Sequence, residues 1–600
     1  MKFPPQNKTF GITPYFLFFT IILFFKVVLI FFYGNATPYW DQWNGELGAL
    51  YLPWLNGTLR LSDLLATHNE HRIFTMRVLS LGLLVINNSI WNPLLEMYVN
   101  AFIHTIALTF LLYCLNQCID YRHRKYSLLF SMALLLIPFG WENTLAGFQS
   151  QFYLLLLFSL IFLWTISCEK LYSLRWWIGI FAGVLCPLSL ASGALTLFIG
   201  ALVVLIRKYF FQETSEKSLF VVAIALFLLG VTALFYTPNI SYHDSLKAHT
   251  LTQFLKALLT VCAWPMSNGF WAMIIQAPIL ILTYLFFTSA DWRSRQSYLY
   301  FISVGGWVFS QYISIAYGRY SGTLSSRYLD LFAIGLIANF CIFFIFFNKR
   351  LCQKRKFIKA ALFIWLTLVG FGLSQRLPVI LDDLNNKKEL SMQQEKNVRA
   401  YLCTGKITNL INKPFQHIPY PDAYYLRSML DNPKIKGILP GNIYMGNSSL
   451  KINSDGTPYC DLNSLDTPFI FLDKKLVSNE GLATYPKNIS DGWGGQDYFK
   501  SDLPGVKVVG SFVTSDGDIG IVKFALKKGD QILYRSGPRT TRQVILIDGG
   551  LQKFLTILPQ STEWSTLNFS NPSLPEKFEV MLIDAGTGWG EWIAVGFKEK

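Results

Sequence analysis

Charge is what this sequence has least of. Asp, Glu, Lys and Arg make up 15% of its 600 residues, where a soluble domain carries about 25%. With 52% hydrophobic residues, a single soluble globule is excluded. Acidic side chains are the scarcer sign, 37 against 52 basic, leaving a net charge of +15. Metal and redox signatures are missing too. None of the nine cysteines forms a Cys-x-x-Cys pair, which removes zinc-ribbon and haem-attachment readings. The full His-Glu-x-x-His pattern of a metalloprotease is absent. No repeat of about 20–50 residues marks a solenoid or propeller.

The basic excess is uneven. The first 375 residues hold 26 basic and 13 acidic side chains, and residues 376–600 hold 26 and 24. The surplus sits in the apolar part. A nucleic-acid stripe predicts the opposite, so no nucleic-acid partner is expected and a polytopic protein in a lipid bilayer is.

A spanning helix needs about 20 apolar residues. The first run, Ile12 to Tyr33, is interrupted only by Lys26, and it reads as a retained helix with a cytoplasmic N-terminus. Further runs lie near 94–116, 126–140, 151–168, 175–190, 193–207, 218–236, 270–288, 298–315, 328–347 and 357–375. Basic clusters at 122–125, 170–175, 207–208, 293–295 and 349–359 belong in the cytoplasm by the positive-inside rule. Two segments decide the parity. Residues 73–90 contain Arg77 and are read as an interfacial helix. Residues 176–206, broken at Ser189 to Gly193, are read as a helical hairpin. About 11 spans result, in the cytoplasmic (inner) membrane, with residues 376–600 outside.

The expected domains are a helical bundle over 1–375 with a first outer loop at 34–93, a mixed α/β region at 376–504, and a β-sandwich-like end at 505–600. Short β-like runs separated by Asp-Gly turns support the last. Only Cys403 and Cys460 lie outside the bundle. In an oxidising compartment they form a candidate disulfide; two buried free thiols are the alternative. Trp564, Trp589 and Trp592 either stack on glycan or belong to a core.

Polar groups in or beside spans are costly and often functional. Here they gather on the outer face. Asp41 lies just past the first helix between Trp40 and Trp43. Interfacial anchoring accounts for the tryptophans but not for the carboxylate between them. Asp41 can deprotonate an acceptor hydroxyl, with Glu46 in reserve; a helix cap or loop ion pair is the alternative. His68, Glu70, His71 and Arg72 crowd one stretch and suit substrate contact, a divalent metal, or a polar cap. Trp141, Glu142 and Asn143 suit sugar hydroxyls or an interfacial turn. Arg319 and Arg327, with Tyr328 beside them, oppose the positive-inside trend. An arginine fork matches phosphate oxygens; snorkelling to lipid headgroups is the alternative.

This arrangement resembles the GT-C class of membrane glycosyltransferases. The resemblance is architectural and covers about residues 1–375: a first helix, a long outer loop opening on an acid, a helical bundle, and an outer C-terminal domain. It implies a polyprenyl-phosphate-linked sugar donor, a glycan or lipid acceptor of the cell envelope, and inversion at the anomeric carbon. It also implies that the base maps onto Asp41, and makes Arg319 and Arg327 donor-phosphate candidates by position. The paired-acid form of the class is absent, since Gln42 and Trp43 follow Asp41. An O-antigen ligase or polymerase also uses outer-face arginines, but places its large outer loop between spans. A transporter expects charges near the bilayer midplane, where the sequence shows Lys26 and little else.

Overall fold

The computed structural model describes residues 11–440 except 212–215, 289–291, 349–354, 405–406 and 412. Beyond them it describes 443, 450–452, 458–460, 473–475, 481–486, 494–495 and 501–599, with gaps at 502, 513–519, 540–542, 549–552, 559, 570–573, 585 and 587. The chain divides into two compact units, Met1–Leu390 and Ser391–Lys600.

The first unit is a polytopic α-helical bundle. Its main helices are α1 (Thr13–Tyr33), α2 (Phe74–Ile86), α3 (Pro93–Gln117), α4 (Tyr121–Leu135), α5 (Ser150–Cys168), α6 (Leu174–Leu185) and α7 (Gly193–Phe211). They continue with α8 (Glu216–Phe235), α9 (Leu251–Cys262), α10 (Ala272–Thr288), α11 (Trp292–Gly318), α12 (Ser326–Asn348) and α13 (Arg355–Thr404). Among the described residues, nine helical segments are long and apolar enough to cross a membrane: α1, α3, α5, α7, α8 and α10 to α13. The expected 11 spans included α4 and α6. These have 15 and 12 residues, short of the 30 Å or so of a hydrocarbon core at 1.5 Å per residue.

Local chemistry explains the ends. Asn92 caps α3 by accepting the Leu94 and Leu95 N–H groups, with Pro93 in the first turn. Asp120 caps α4 in the same way. The break between α6 and α7 falls at residues 186–192, and α2 is a 13-residue helix, too short to span. The bundle core follows from the sequence: α12 is enclosed on every side, buried across its whole apolar window. The last helix departs from expectation. Instead of stopping at 375, α13 runs on for 50 residues through Pro378. Beyond Arg376 it becomes polar, with Asp382, Asp383, Lys387 and Lys388 replacing the apolar run.

The second unit is dominated by two antiparallel sheets. The strands outside the bundle are β3 (Leu450–Ile452), β4 (Pro458–Cys460), β5 (Asp473–Lys475), β6 (Gly494–Gly495), β7 (Val506–Gly510), β8 (Gly520–Lys527) and β9 (Gln531–Ser536). They end with β10 (Gln543–Asp548), β11 (Lys553–Ile557), β12 (Ser565–Asn568), β13 (Lys577–Asp584) and β14 (Ile593–Lys598). One sheet runs β11-β10-β13-β8 and the other β5-β12-β9-β14-β7-β6. Along β8, Val522, Phe524 and Leu526 point in while Lys523, Ala525 and Lys527 point out, the period of two expected of a half-buried strand. These residues meet Tyr534, Ile593, Val595 and Phe597 of the other sheet in one core, which makes a sandwich. Trp564 and Trp592 pack with Val508 of β7 and Ala594 of β14 in a separate small cluster outside the sandwich core, whereas Trp589 is 72% exposed. The Cys403 and Cys460 side chains lie outside the described residues.

Candidate active site

Asp41 stands where the loop after α1 enters a ten-residue π-helix, Gln42–Tyr51, a geometry that recurs at functional sites. The loop is fixed by its neighbours. Asn35 Oδ1 accepts the Thr37 N–H at 2.7 Å, Gln42 Oε1 accepts the Tyr39 N–H at 3.1 Å, and the Trp43 indole N–H donates to Pro38 O at 2.8 Å. Trp40 takes φ +52°, a conformation that costs about 1–3 kcal/mol in a bulky residue. The turn leaves the Asp41 side chain 31% exposed and 3.5 Å from His68 Nε2.

A two-residue hairpin delivers His68. Its strands, β1 (Thr67–His68) and β2 (His71–Arg72), pair His68 with His71. Asn69 in the turn takes φ +50°, which Asn tolerates well. The His68 ring meets Phe148 edge-on at 5.2 Å. Gly45 makes this possible, since a Cβ there would lie 2.7 Å from Phe148 and 3.1 Å from His68 Cε1.

The same hairpin carries a second cluster. Glu70 accepts a hydrogen bond from Arg319 Nη2, pairs with His243 Nδ1 at 2.8 Å, and has His71 Nε2 3.8 Å away. Burial pushes the Glu70 carboxyl up, but His71 and Arg319 outweigh it and hold the group at about 2. Burial pushes His71 down to about 4. Arg72 donates to Leu65 O at 2.8 Å and Tyr236 O at 3.2 Å. Glu70 and Arg72 head a cavity of about 430 Å³ whose walls include Leu188, Leu197, Leu229 and Ala233.

Glu142 forms a third cluster at the start of α12. Its carboxylate accepts from Ser325 Oγ at 2.9 Å, Ser326 Oγ at 2.7 Å and the Arg327 N–H at 3.1 Å, with Arg327 Nη2 at 3.5 Å. A helix N-terminus favours a carboxylate, and although burial pushes Glu142 up, these partners hold it below the usual range. Asn143 donates to Arg327 O at 2.7 Å. The Tyr39 phenol joins this cluster to the first: burial raises it, Glu142 and Asp41 add to that, and Arg327 opposes them. Lys387 Nζ lies 3.8 Å from the Tyr39 ring centre.

The structure thus brings Asp41 to His68, Glu70 and His71 to Arg319, and Glu142 and Asn143 to Arg327. It separates the two arginines into different clusters. Tyr328 lies against Phe152, ring centres 6.5 Å apart, and Trp141 packs on the bundle core. Trp43 is no interfacial anchor: it is fully enclosed, against Trp91 at 5.5 Å. Glu46, the reserve base, is also fully buried. Its carboxylate accepts from Gln42 Nε2 at 2.9 Å and the Trp91 indole at 3.2 Å. Burial and the neighbouring Glu96 raise its affinity for a proton. Gln42 also bonds Glu96 at 2.8 Å, and Tyr51 bonds it at 3.0 Å.

Sequence reasoning missed several buried groups. Lys26 is not alone: its Nζ donates to Thr144 at 3.2 Å, Asp330 accepts from Asn143 at 3.3 Å, and His104 stacks on Tyr153 at 4.2 Å. Asp330 and Glu96 each sit in the first turns of a long apolar helix, and an acid at that position was the available signal. Nothing local in the sequence links His243 to Glu70, 173 residues away. Among the described residues, no three His, Cys, Asp or Glu side chains are grouped to hold a metal ion.

No family model and no characterised protein matches the chain. Among solved structures, the arabinosyltransferase EmbB from Mycobacterium smegmatis aligns over 99% of this chain and 66% of its own, at 10% identity and a TM-score of 0.29. The chain therefore spans about two thirds of EmbB, and a likeness of that size decides neither fold nor activity.

Proposed function

We propose that the chain is a membrane glycosyltransferase of the GT-C kind, moving a sugar from a polyprenyl-phosphate donor to an envelope glycan or lipid on the outer face of the cytoplasmic membrane. The observation that carries this reading is the hairpin at residues 67–72. One end holds His68 against a partly exposed Asp41; the other heads an apolar-walled cavity with Glu70 and Arg72.

In this mechanism Asp41 takes the proton of the acceptor hydroxyl, with His68 orienting the carboxylate. The acceptor oxygen forms a bond to the anomeric carbon as the bond from that carbon to the phosphate oxygen breaks, and the polyprenyl phosphate leaves with the electron pair. Arg319 and Arg72 lie beside the cavity head, where positive charge stabilises the leaving phosphate. Arg327 serves the acceptor side through its contact with Glu142. Glu46 and Glu96 support the loop from beneath.

The test uses the full chain in proteoliposomes with a panel of polyprenyl-phosphate sugars and envelope-derived acceptors, following release of polyprenyl phosphate. Asp41→Asn is expected to lower turnover by about 10²–10⁴ while the loop bonds of Gln42 and Trp43 persist. A folded Asp41→Asn protein that transfers at the wild-type rate refutes the assignment. The buried Lys26–Asp330 region favours a transport reading, which donor movement without sugar transfer establishes instead.

A further inference from the structure

Two acids lie beneath the turn that presents Asp41, and neither reacts in the proposed transfer. Glu46 belongs to the π-helix and Glu96 to the first turn of α3; both are buried. One amide joins them. Gln42 Nε2 donates to Glu46 Oε2 at 2.9 Å and to Glu96 Oε2 at 2.8 Å. The same side chain reaches back over Asp41, since its Oε1 accepts the Tyr39 N–H at 3.1 Å. The α3 side is equally fixed. Asn100, one turn further on, donates to Gly147 O at 2.8 Å, and a Cβ at Gly147 would collide with Glu96 Oε2 and Gln42 Nε2.

Two ionised carboxylates bonded to one amide nitrogen, both out of water, repel each other strongly. Their hydrogen bonds are divided unequally. Glu96 has a donor on each oxygen, Gln42 on one and the Tyr51 hydroxyl at 3.0 Å on the other, and it sits at a helix N-terminus, which favours negative charge. Glu46 has both its donors, Gln42 and the Trp91 indole, on Oε2. Its Oε1 is buried and, among the described residues, has no partner. A buried oxygen without a donor costs far less on a neutral carboxyl than on a carboxylate. The negative charge therefore belongs on Glu96 and the proton on Glu46. Of the other charged or titratable groups nearby, Asp41 adds a like charge that favours the proton on Glu46. His68 lies against Gly45, and Arg77 of α2 gives its guanidinium to the carbonyls of Asp63, Leu64 and Ala66.

We propose that Glu46 and Glu96 hold one proton between them, and that this proton seats the π-helix on α3 and so positions Asp41 against His68. Both acids are thus positioning residues. Their effect on transfer rests on Asp41 being the base; their effect on the loop does not. With the proton in place, a neutral carboxyl and a carboxylate share the Gln42 amide. Without it, two adjacent anions push the π-helix off α3, and the 3.5 Å approach of Asp41 to His68 opens. A buried acid with raised proton affinity stabilises the fold until pH rises through its folded value, and the contribution is then lost. The loop is therefore held at neutral pH and loosens in alkali.

The experiment is hydrogen exchange by mass spectrometry on the full chain in nanodiscs, read over residues 39–51 at pH 7 and pH 9.5 and corrected for the intrinsic exchange rate. Wild type is expected to lose protection at least about tenfold at the higher pH. Glu46→Gln keeps the shape of the protonated acid and cannot ionise, so it is expected to hold its protection at both. Glu96→Gln removes the second charge and is expected to do the same; it decides the question should Glu46→Gln fail to fold. In a transfer assay, wild-type turnover falls over the same pH interval with KM unchanged, and the fall is absent from Glu46→Gln. Wild-type protection that is equal at the two pH values, or a Glu46→Gln protein that loses protection as wild type does, overturns the proposal. Loop exchange as expected with no matching change in turnover supports the shared proton and refutes Asp41 as the base, which separates the two failures.

Discussion

Glu70→Gln tests the architecture of the site most directly, because Glu70 joins residues from three distant parts of the chain. The carboxyl falls from its usual value of 4.5 to about 2. At about 1.36 kcal/mol per unit this corresponds to about 3 kcal/mol of preference for the charged form in the folded protein. Its side chain is 19% exposed, so solvent screening is partial, and His71, lowered to about 4, is neutral at pH 7; Arg319 carries the stabilisation there, and the expected loss on substitution is about 1–2 kcal/mol. Because the folded value is the lower one, the stabilisation is complete above the unfolded value and is lost as pH falls toward 2. The gap between wild type and Glu70→Gln is therefore widest at neutral pH and narrows below about pH 4.5. Unfolding in mixed micelles, followed at pH 7 and pH 3, measures it. A cycle with Arg319→Gln isolates the pair, for which a coupling of about 1–3 kcal/mol is expected. A Glu70→Gln protein as stable as wild type at pH 7, or a gap of constant size at both pH values, refutes the reasoning.

Further outcomes follow from other contacts. Gly45→Ala pushes a Cβ into Phe148 and His68, so transfer activity is expected to fall about 10²-fold through displaced catalytic geometry, and a wild-type rate contradicts this. Glu142→Gln removes a carboxylate from the start of α12 and is expected to cost about 1–2 kcal/mol, read as faster hydrogen exchange over residues 326–330. In the second unit, burial pushes the Asp584 carboxyl up to about 7 despite bonds from Ser511, Gln543 and the Gly586 N–H. A raised acid stabilises the fold below its unfolded value of about 4 and loses that contribution as pH rises through 7. Asp584→Asn is therefore expected to be more stable than wild type at pH 8, by up to about 4 kcal/mol, with the difference shrinking toward pH 4. Denaturant unfolding followed by tryptophan fluorescence checks the sign.

Much of the bundle was legible because spanning helices announce themselves by run length. The α1, α3, α8, α10 and α12 boundaries lie within a few residues of the apolar runs. The break at 186–192 also fell where small and polar residues interrupt the run. The β-sandwich was half visible. Strands β7, β8, β10, β13 and β14 coincide with short apolar β-like runs in the sequence, whereas β9, β11 and β12 do not. The end of α13 was misplaced: its apolar signal stops near Arg376, but helical backbone needs no apolar face to continue. At the site, the residue types were legible and their pairings were not.

Composition and run length by themselves determined that this chain belongs in a bilayer, which residues are out of place there, and that two kinds of unit follow one another. Those are one-dimensional properties, set by the cost of taking polar groups out of water. Only the tertiary structure decided which acids are buried and which are open. Asp41 and Glu46 are five residues apart, yet the π-helix turns one toward His68 and the other into Gln42, Trp91 and Glu96. Likewise Arg319 reaches Glu70 across 249 residues. Such contacts depend on how helices pack rather than on local sequence, and they decide which of several plausible side chains can take part in chemistry.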